Sequence, residues 1–286
     1  LLSRRQRQMC IRDRLNIAAI NINHKSMATY THYGKQADVF KHLVLCEVLQ
    51  IEKPQIYIET NSASAIYQMA HTPEQQYGIY HFLKKAREEK PLRESPYYKL
   101  ESTEMAKGNY LGSPALAMNT LAERTSQYLF FDIEKDALEN IESYAKQVKL
   151  ESHIQTCHTD SLEGVIKLLL SLSQSSFLHI DPYEIDKKGI SGTTYLDVLI
   201  QATQADMKCL LWYGFMTKND KIHINQYIVN RLEEENIKEY TCIELIMNSI
   251  RKDTIPCNPG ILGSGILATN LSQEANKAIW DYSDML

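Results

Sequence analysis

Four carboxylate side chains stand at or beside the ends of short apolar segments, where they could serve one ligand. They are Glu59, Asp132, Asp160 and Asp181. Carboxylates accept hydrogen bonds from ribose hydroxyls and from amino groups, so a group of them would suit a hydroxyl-rich or cationic ligand. The alternative for Asp160 and Asp181 is helix capping, because each could precede a helix whose first N–H groups need acceptors.

The segments that carry these acids predict a parallel β-sheet. Runs rich in β-branched and aromatic residues predict strands at 55–60, 128–133, 153–160, 177–181, 207–215, 240–247 and 265–270. Helical segments separate most of them, which is typical of a parallel sheet with helices on both faces. The last two strands lack a clear helix between them, which predicts an antiparallel edge. We therefore expect a Rossmann-like α/β fold, with a central, mostly parallel seven-stranded sheet flanked by helices, an arrangement that resembles that of class I methyltransferases.

Ligands of such sheets bind beyond the carboxyl ends of the strands, so the strand-terminal acids would share one site. A second feature of that site is a helix predicted to begin in the segment GSPALAMNTLAER, which starts at Gly112. Ser113 is the expected N-cap and Pro114 the expected first helical residue, where the N–H that proline lacks is not needed.

Two parts of the chain differ from this pattern. Residues 1–26 begin with leucine, carry five arginines and show no apolar periodicity. Their apolar run at 17–20 is too short for a secretory signal, so we interpret them as a non-native or disordered extension before a domain of residues 27–286. The polar stretch 71–109 predicts a small helical insertion at about 70–110.

The insertion carries a group of cations that could contact RNA. They are Lys84, Lys85, Arg87, Lys90 and Arg93. The alternative is a solvated helix face, because acidic residues alternate with these cations. Those acids are Glu88, Glu89 and Glu94.

Composition excludes several classes of protein. The chain is 44% hydrophobic and 23% charged, and none of its apolar runs approaches the roughly 18 residues of a membrane span, so we expect a soluble protein with no membrane partner. Six cysteines without a Cys-x-x-Cys pair argue against a disulfide framework and a structural zinc, and they fit the reducing cytoplasm. His153, Cys157 and His158 are better explained by a strand edge than by a metal site, so no metal is expected.

The charge balance bears on nucleic-acid binding. The formal net charge is −4, and residues 1–26 contribute six cations and one anion, so the remaining chain carries −9. A general nucleic-acid binder needs many phosphate-neutralising lysines and arginines. Any RNA contact must therefore come from a local patch.

Several blocks of sequence resemble, in order, those of the 23S rRNA adenine-N6 methyltransferase J family. They are YGKQADVFKHLVL, YIETNSASAIYQM, YLGSPALA, LWYGF and GILGSGILATN. The corresponding family patterns include a Gly-Asn-His-Ala-Asp-Val-x-Lys-His run, a Pro-Gly-Ser-Pro helix start and a Leu-Trp-Tyr-Pro strand. The blocks extend from about residue 30 to 270, and those with Lys41–His42 and with Gly112–Pro114 are the specific ones.

The resemblance implies S-adenosylmethionine as cofactor and 23S rRNA as partner, taken as free RNA by a monomer. The residues implied at the cofactor are His42, Glu59, Asn61, Ser113, Asp132, Asp160 and Ser161. Among them, Asp132 would accept from the ribose hydroxyls and Asp160 from the adenine amino group. Glu59 and Asn61 would flank the methionine part, and the helix N-terminus at Ser113 would favour a carboxylate.

The resemblance also implies how the substrate would be held. Lys41 would reach toward substrate or phosphate. Asp181 and a backbone carbonyl just after it, at Pro182, would accept both N–H groups of the target amine and so localise its lone pair. Tyr183 would stack on the base, which must leave its helix to reach the pocket.

Two departures from the family pattern leave alternatives open. The first loop, NSASA at 61–65, contains no glycine, so its backbone could follow another path. The family motif Asp-Pro-Pro-Tyr corresponds here to the tetrapeptide Asp181–Glu184, which reads Asp-Pro-Tyr-Glu. If one proline is deleted, Tyr183 is the stacking residue; if there is no gap, Glu184 takes that position.

Three hypotheses follow from these observations. The first is an RNA adenine-N6 methyltransferase. The second is a methyltransferase of the same fold that acts on DNA or a small molecule, which the acidic charge favours. The third is a degenerate, non-catalytic relative, which the glycine-free loop favours.

Overall fold

A computed structural model describes residues 32–169, 172, 175–247 and 261–286. The proposed extension at 1–26 lies outside them. The main sheet consists of β1 Ile56–Thr60, β4 Gln127–Asp132, β5 Ile154–His158, β6 Ser176–Ile180, β7 Lys208–Phe215, β8 Thr241–Ile246 and β9 Gly263–Thr269. A separate antiparallel pair is formed by β2 Ile66–Gln68 and β3 Asn109–Leu111.

Helices occupy most of the segments between the strands. They are α1 Gln36–Glu52, α2 His81–Glu88, α3 Lys90–Glu94, α4 Pro96–Met105, α5 Ser113–Leu121, α6 Lys135–Gln147, α7 Ser161–Leu169, α8 Tyr195–Gln204, α9 Lys218–Glu234 and α10 Gln273–Asp284. A short turn of helix at Pro73–Gln75 and a π-helical segment at Gln76–Tyr80 lead into α2.

The main sheet has the strand order β5-β4-β1-β6-β7-β9-β8. Neighbouring strands from β5 to β7 are parallel, whereas β9 runs antiparallel to both β7 and β8. The predicted seven-stranded, mostly parallel sheet with an antiparallel edge is therefore confirmed, and this is the class I methyltransferase fold. The strand β4 lies on one side of β1 and β6 lies on the other, so the strand order reverses between β1 and β6, and this is where a ligand crevice is expected.

Alternating side chains of the strands supply two apolar layers. On β1, Tyr57 faces the layer formed with α1, α5, α6 and α10, while Ile58 faces the layer formed with α7, α8 and α9. The same alternation places Phe130 in the first layer and Leu129 in the second, as the two-residue period of a strand requires. Both faces are covered, which is the usual condition for a parallel sheet.

The stretch predicted as a helical insertion is helical in the structure, and the antiparallel strand pair β2–β3 closes it. It docks on the segment that leads into α1, where the N–H of Ile79 donates to the Gly34 carbonyl at 3.0 Å. A β-carbon on Gly78 would lie 2.1 Å from that same oxygen, so only glycine permits this approach.

Several insertion cations already have acidic or carbonyl partners. Half-buried Lys85 lies near Glu89, exposed Lys90 lies near Glu94, and both pairs have i,i+4 spacing. The Lys85 ammonium also donates to the carbonyl of Met285 near the chain end. Pairs with i,i+4 spacing are ordinary on helix surfaces.

The start of α5 corrects a prediction by one residue. Gly112, with extended backbone angles, is the N-cap, and Ser113 is the first helical residue. The reason is that the Gly112 carbonyl already accepts from the N–H of Leu116 at 3.0 Å.

The strand β5 lies at an edge of the main sheet. His153 just before it and His158 at its end each have a ring nitrogen near a backbone carbonyl, at 3.3 Å and 3.0 Å. Among the helices that the structure describes, none is long and apolar enough to cross a membrane.

Candidate active site

Asp181 follows β6 at the carboxyl edge of the sheet and is held from two sides. Its Oδ2 lies 2.6 Å from Nζ of Lys41 on α1, and its N–H donates to Oγ1 of Thr60 at 3.1 Å. Helix capping does not apply to Asp181, because α8 begins only at Tyr195. The chain instead uses this acid as a charged group between β1 and α1.

Lys41 is buried in an acidic environment. Burial lowers the pKa of its ammonium, but the carboxylates of Asp181 and Asp38 together raise it more, so the net pKa lies above the ordinary value. Its Nζ lies 3.7 Å from Oδ1 of Asp38 and 5.2 Å from the centre of the Trp212 ring. Lys41 therefore stays charged, and it lies against Asp181 rather than reaching outward for a phosphate.

Aromatic side chains flank this pair. Pro182 is buried, whereas Tyr183 is 44% exposed and lies against Gly214 at the end of β7, beside Trp212. Burial, and then the charges of Asp220 and Glu184, raise the pKa of the Tyr183 hydroxyl, so it stays protonated. The edge at β6 and β7 thus combines a fixed carboxylate with an accessible aromatic ring.

The glycine-free loop after β1 keeps a tight, left-handed path. Asn61 and Ala63 have φ of 54° and 53°, a region that residues with a β-carbon rarely adopt. The N–H of Ala63 donates to Oδ2 of Asp132 at 2.8 Å, and the N–H of Ser64 donates to the Tyr67 hydroxyl at 2.9 Å. Hydrogen bonds from neighbouring elements therefore hold the conformation that glycine would adopt freely.

Asp132 organises the end of β4. Its side chain is buried, and besides the bond from Ala63 its Oδ1 accepts from the N–H of Glu134 at 2.8 Å. The next residue, Ile133, is 59% exposed although it is a large apolar side chain. An exposed apolar surface beside a fixed carboxylate suits a ligand that joins a flat ring to a group with hydroxyls. Sequence reasoning did not single out Ile133.

Asp160 caps α7, which agrees with the capping alternative. Its Oδ1 accepts from the N–H of Leu162 at 2.9 Å, and the residue remains exposed at the same edge as Asp132. Ser161 is buried and its hydroxyl donates to Oδ1 of Asn61 at 3.2 Å. The Asn61 amide in turn donates to the Tyr195 hydroxyl at 2.9 Å, so these side chains tie the first loop to α7 and α8.

Glu59 points into the interior rather than along the edge. It is fully buried on the α1 side, where the Tyr57 hydroxyl donates to its Oε2 at 2.9 Å. Nδ1 of His179 lies 3.3 Å from its Oε1. In this structure Glu59 therefore anchors a polar cluster beneath α1, behind Asp181 and Lys41.

His42 and Ser113 approach the first loop from the insertion side. The Nδ1 of buried His42 lies 2.9 Å from the Tyr110 hydroxyl, and burial, followed by the charge of Lys41, holds the pKa of His42 well below its ordinary value. The imidazole is therefore neutral. Ser113 opens α5, whose N-cap Gly112 offers no side chain to the first-turn N–H groups, so this helix end can receive an anion.

Asp132, Asp160 and Asp181 thus lie on one edge of the sheet, while Glu59 lies behind it. Sequence reasoning missed Trp212, Tyr110 and Tyr195, which hold site residues in place from distant parts of the chain. A weak signal existed for Trp212, which belongs to a strand predicted to end at the same edge.

Comparisons with known proteins extend the description of the fold. No protein-family model matches this sequence, and no curated protein matches it. A Legionella pneumophila protein of the DUF519 family is similar in structure, with a TM-score of 0.68 and 21% identity over 88% of this chain and 92% of its own. At this level of identity, the similarity to the Legionella protein is a similarity of fold alone.

Two other solved structures are more distant. The O-methyltransferase from Bacillus cereus in complex with SAH has a TM-score of 0.44 at 7% identity, covering 92% of this chain and 89% of its own. A methyltransferase from Geobacter sulfurreducens has a TM-score of 0.39 at 10% identity, covering 92% and 96%.

Proposed function

We propose that this protein is an S-adenosylmethionine-dependent methyltransferase that modifies the N6 of an adenine in 23S rRNA. The observation that supports it most is Asp181, a carboxylate fixed by Lys41 at 2.6 Å beside the exposed ring of Tyr183. This pair lies next to the switch point of the sheet, where the class I fold binds its ligands. Fold alone does not define a reaction, so the site residues carry the proposal.

The residues at the neighbouring strand ends fit the cofactor. Asp132 offers carboxylate oxygens for a ribose diol, and the exposed Ile133 offers an apolar surface for the adenine ring. Asp160 is exposed and would accept from the adenine amino group through the oxygen that does not cap α7. The uncapped N-terminus of α5 at Ser113, with neutral His42 nearby, would receive the methionine carboxylate.

The protein's own contribution to the reaction is to orient and activate the amine. When bound, S-adenosylmethionine supplies an electrophilic methyl group. Adenine N6 is a poor nucleophile because its lone pair is delocalised into the ring. Asp181 and the carbonyl of Pro182 would accept its two N–H groups, which localises the lone pair, and positioning supplies much of the rate. The proton released as the new N–C bond forms would pass to Asp181.

Lys41 has a supporting role in this scheme. Its ammonium is buried against Asp181 and Asp38, and its pKa is raised, so it remains a cation throughout the neutral range. It would fix the rotamer of Asp181 and leave the second carboxylate oxygen for the amine. In this way Lys41 would act on the substrate through Asp181.

A second candidate is methyl transfer to DNA or a small molecule by the same site. The formal charge of −9 for residues 27–286 favours a small-molecule substrate in particular, because an acidic protein repels the phosphates of RNA and DNA alike. The paired lysines of the insertion point the same way. Both candidates use the same cofactor and the same acceptor residue, so only the substrate distinguishes them.

Two measurements test the proposal. Calorimetry with S-adenosylmethionine tests cofactor binding, and no binding at millimolar ligand would exclude both methyltransferase candidates in favour of a non-catalytic protein. Transfer of a labelled methyl group to unmodified 23S rRNA, with DNA as the comparison, distinguishes the substrates. We expect transfer to the RNA and a product with the methyl group on adenine N6.

Asp181→Ala provides the matching prediction at the acceptor. We expect methyl transfer to fall at least about 100-fold, because the amine loses its activating acceptor, while cofactor affinity stays within a few-fold. Asp181→Asn is the companion variant, since it keeps the shape of the side chain while removing its charge. The double variant Asp181→Asn/Lys41→Met also removes the Lys41 ammonium, so no buried cation is left without its partner. Normal turnover in a folded Asp181→Ala protein would remove the proposed acceptor role.

A further inference from the structure

Gly214 occupies the space between two aromatic side chains of the site. It lies near the end of β7, opposite Ser264 of β9. A β-carbon placed on Gly214 would lie 3.3 Å from Cη2 of Trp212 and 3.4 Å from Cε2 of Tyr183. Carbon atoms pack most favourably at about 3.5–4.0 Å, so one methyl group would press on Trp212 and would contact Tyr183 directly, and a larger side chain would crowd both rings. The two rings therefore share the space that a side chain at this position would occupy.

The position of Tyr183 is also coupled to the acceptor. Only one residue separates it from Asp181, which Lys41 and Thr60 hold in place. The Lys41 ammonium lies 5.2 Å from the Trp212 ring centre, so Trp212 is coupled to the same pair from the other side. Asp181 is thus held in place, and the ring of Tyr183, two residues further on, lies against β7 at Gly214.

We propose that Gly214 is a positioning residue that sets where the Tyr183 ring lies, so that a planar heteroaromatic substrate stacked on that ring presents its amine to Asp181. The inference rests on the proposed function and adds a specificity determinant to it. Two sequence departures then belong together. If the Asp-Pro-Tyr motif lacks one proline, its tyrosine lies one residue closer to the acid, and glycine stands where the similar Leu-Trp-Tyr-Pro strand has proline. The absent side chain makes room for the displaced ring.

The exposure of Tyr183 supports this role. A tyrosine that served only to fill space beneath β7 would be buried, whereas this ring is 44% exposed. Part of its covered surface lies against Gly214. Stacking on an aromatic side chain tolerates any base, so Tyr183 would supply affinity for the ring while Asp181 selects the amine.

The test compares side chains of increasing size at Gly214, alone and together with Tyr183→Ala. Gly214→Ala should raise KM for an adenine-containing 23S rRNA fragment a few-fold, and Gly214→Val should raise it about 10- to 100-fold, the range of a lost stacking contact. The kcat should change less, and cofactor affinity should stay within two-fold. In the Tyr183→Ala background Gly214→Val should add little, because the ring on which it acts is gone.

Fluorescence provides a readout that does not depend on catalysis. The chain has two tryptophans, so Trp280→Phe leaves Trp212 as the reporter beside the proposed stacking ring. Adenine-containing oligonucleotide should change Trp212 emission with an affinity that Gly214→Val weakens in parallel with KM. Met216→Ala, on an exposed side chain two residues further on, is the matched control and should leave KM unchanged.

The outcomes separate the two proposals. Absence of methyl transfer by the unaltered protein would contradict the proposed function. If the unaltered protein transfers the methyl group but Gly214→Val raises KM equally with and without Tyr183, the positioning role alone is wrong. Unchanged KM in both Gly214→Ala and Gly214→Val proteins of normal thermal stability would overturn it as well.

Discussion

Ala63 holds a left-handed backbone conformation at the centre of the loop that follows β1. Its φ is 53°, and its N–H donates to Oδ2 of Asp132 at 2.8 Å. The neighbouring N–H of Ser62 donates to the carbonyl of Phe131 at 3.0 Å, which fixes the loop on the same strand. Left-handed backbone costs a residue with a β-carbon about 1–2 kcal/mol, so these hydrogen bonds maintain a strained residue at the proposed cofactor site.

Ala63→Gly is therefore expected to stabilise the protein. Glycine adopts this conformation without strain, but it also raises the entropy of the unfolded chain, which offsets part of the gain. The net increase in the free energy of unfolding should be about 0.5–1 kcal/mol. The measurement is the midpoint of urea unfolding at constant m-value. Cofactor affinity should stay within a few-fold, because the path of the loop does not change.

Ala65→Gly is the control for this prediction. Ala65 is fully buried in the same loop and has no left-handed φ, so the substitution should lower the unfolding free energy by roughly 1 kcal/mol. Equal destabilisation by both variants would show that Ala63 is not strained.

Residue roles were predictable from sequence where they depend on neighbours along the chain. The capping alternative for Asp160 rests on the helix that follows it, and the structure contains that cap. The same alternative failed for Asp181, whose partner Lys41 lies on a helix far earlier in the chain. No local pattern could pair Asn61 with Tyr195, because that contact exists only after the sheet has formed.

At the scale of elements, the insertion behaves as a clamp on the segment before α1. Its π-helical segment contains Gly78, whose backbone angles are not helical and which approaches the Gly34 carbonyl closely. The adjoining strand pair β2–β3 supplies Tyr67, which contacts Ser64 of the first loop, and Tyr110, which contacts His42 of α1. The insertion therefore bears on the site by holding both elements that would carry the cofactor.

Gly78→Ala is expected to loosen this clamp. The new β-carbon would lie 2.1 Å from the Gly34 oxygen, a backbone atom that cannot move aside alone. We expect a loss of stability on the order of 2–3 kcal/mol and faster amide hydrogen exchange across residues 73–105, since the segment must shift as a body. Cofactor affinity should fall along with it.

Gly108→Ala serves as the comparison within the same insertion. A β-carbon there meets no atom within 4 Å, although the φ of 81° imposes its own strain of about 1–2 kcal/mol. Exchange across residues 73–105 should stay slow in this variant. Equal loosening of these residues by both substitutions would contradict the clamp.

Elements with strong periodicity were predictable, and those that depend on pairing at a distance were not. The seven strands of the main sheet matched their predicted segments, and most of them are apolar runs bounded by polar residues, whereas the edge strand β5 is largely polar. The strand pair β2–β3 consists of Ile66–Gln68 and Asn109–Leu111. Each of these strands is too short to show the alternation of apolar and polar residues that predicts a strand. The π-helical segment depends on the close approach of Gly78 to Gly34, which no spacing indicates.

At the scale of the whole molecule, α1 and α10 pack together and so join the first and last described helices. Glu47 on α1 lies at this contact, buried against Tyr282 of α10. Burial raises the pKa of Glu47 to about 7, while a hydrogen bond from Tyr282 and the charge of Lys99 lower it by less. The folded protein therefore binds a proton at this contact that the unfolded chain would release at lower pH.

The sign of the resulting pH dependence follows from linkage. A folded pKa above the unfolded value of 4.5 contributes stability that is complete below pH 4.5 and is lost as the pH rises through about 7. We expect Glu47→Gln to match the unaltered protein near pH 4.5 and to be more stable by on the order of 2 kcal/mol at pH 8. Unfolding free energies from urea titrations across this range provide the measurement, with exposed Glu151→Gln as a control whose difference should stay flat. A Glu47→Gln difference that is also flat would mean that the carboxyl at the α1–α10 contact titrates as it does in water.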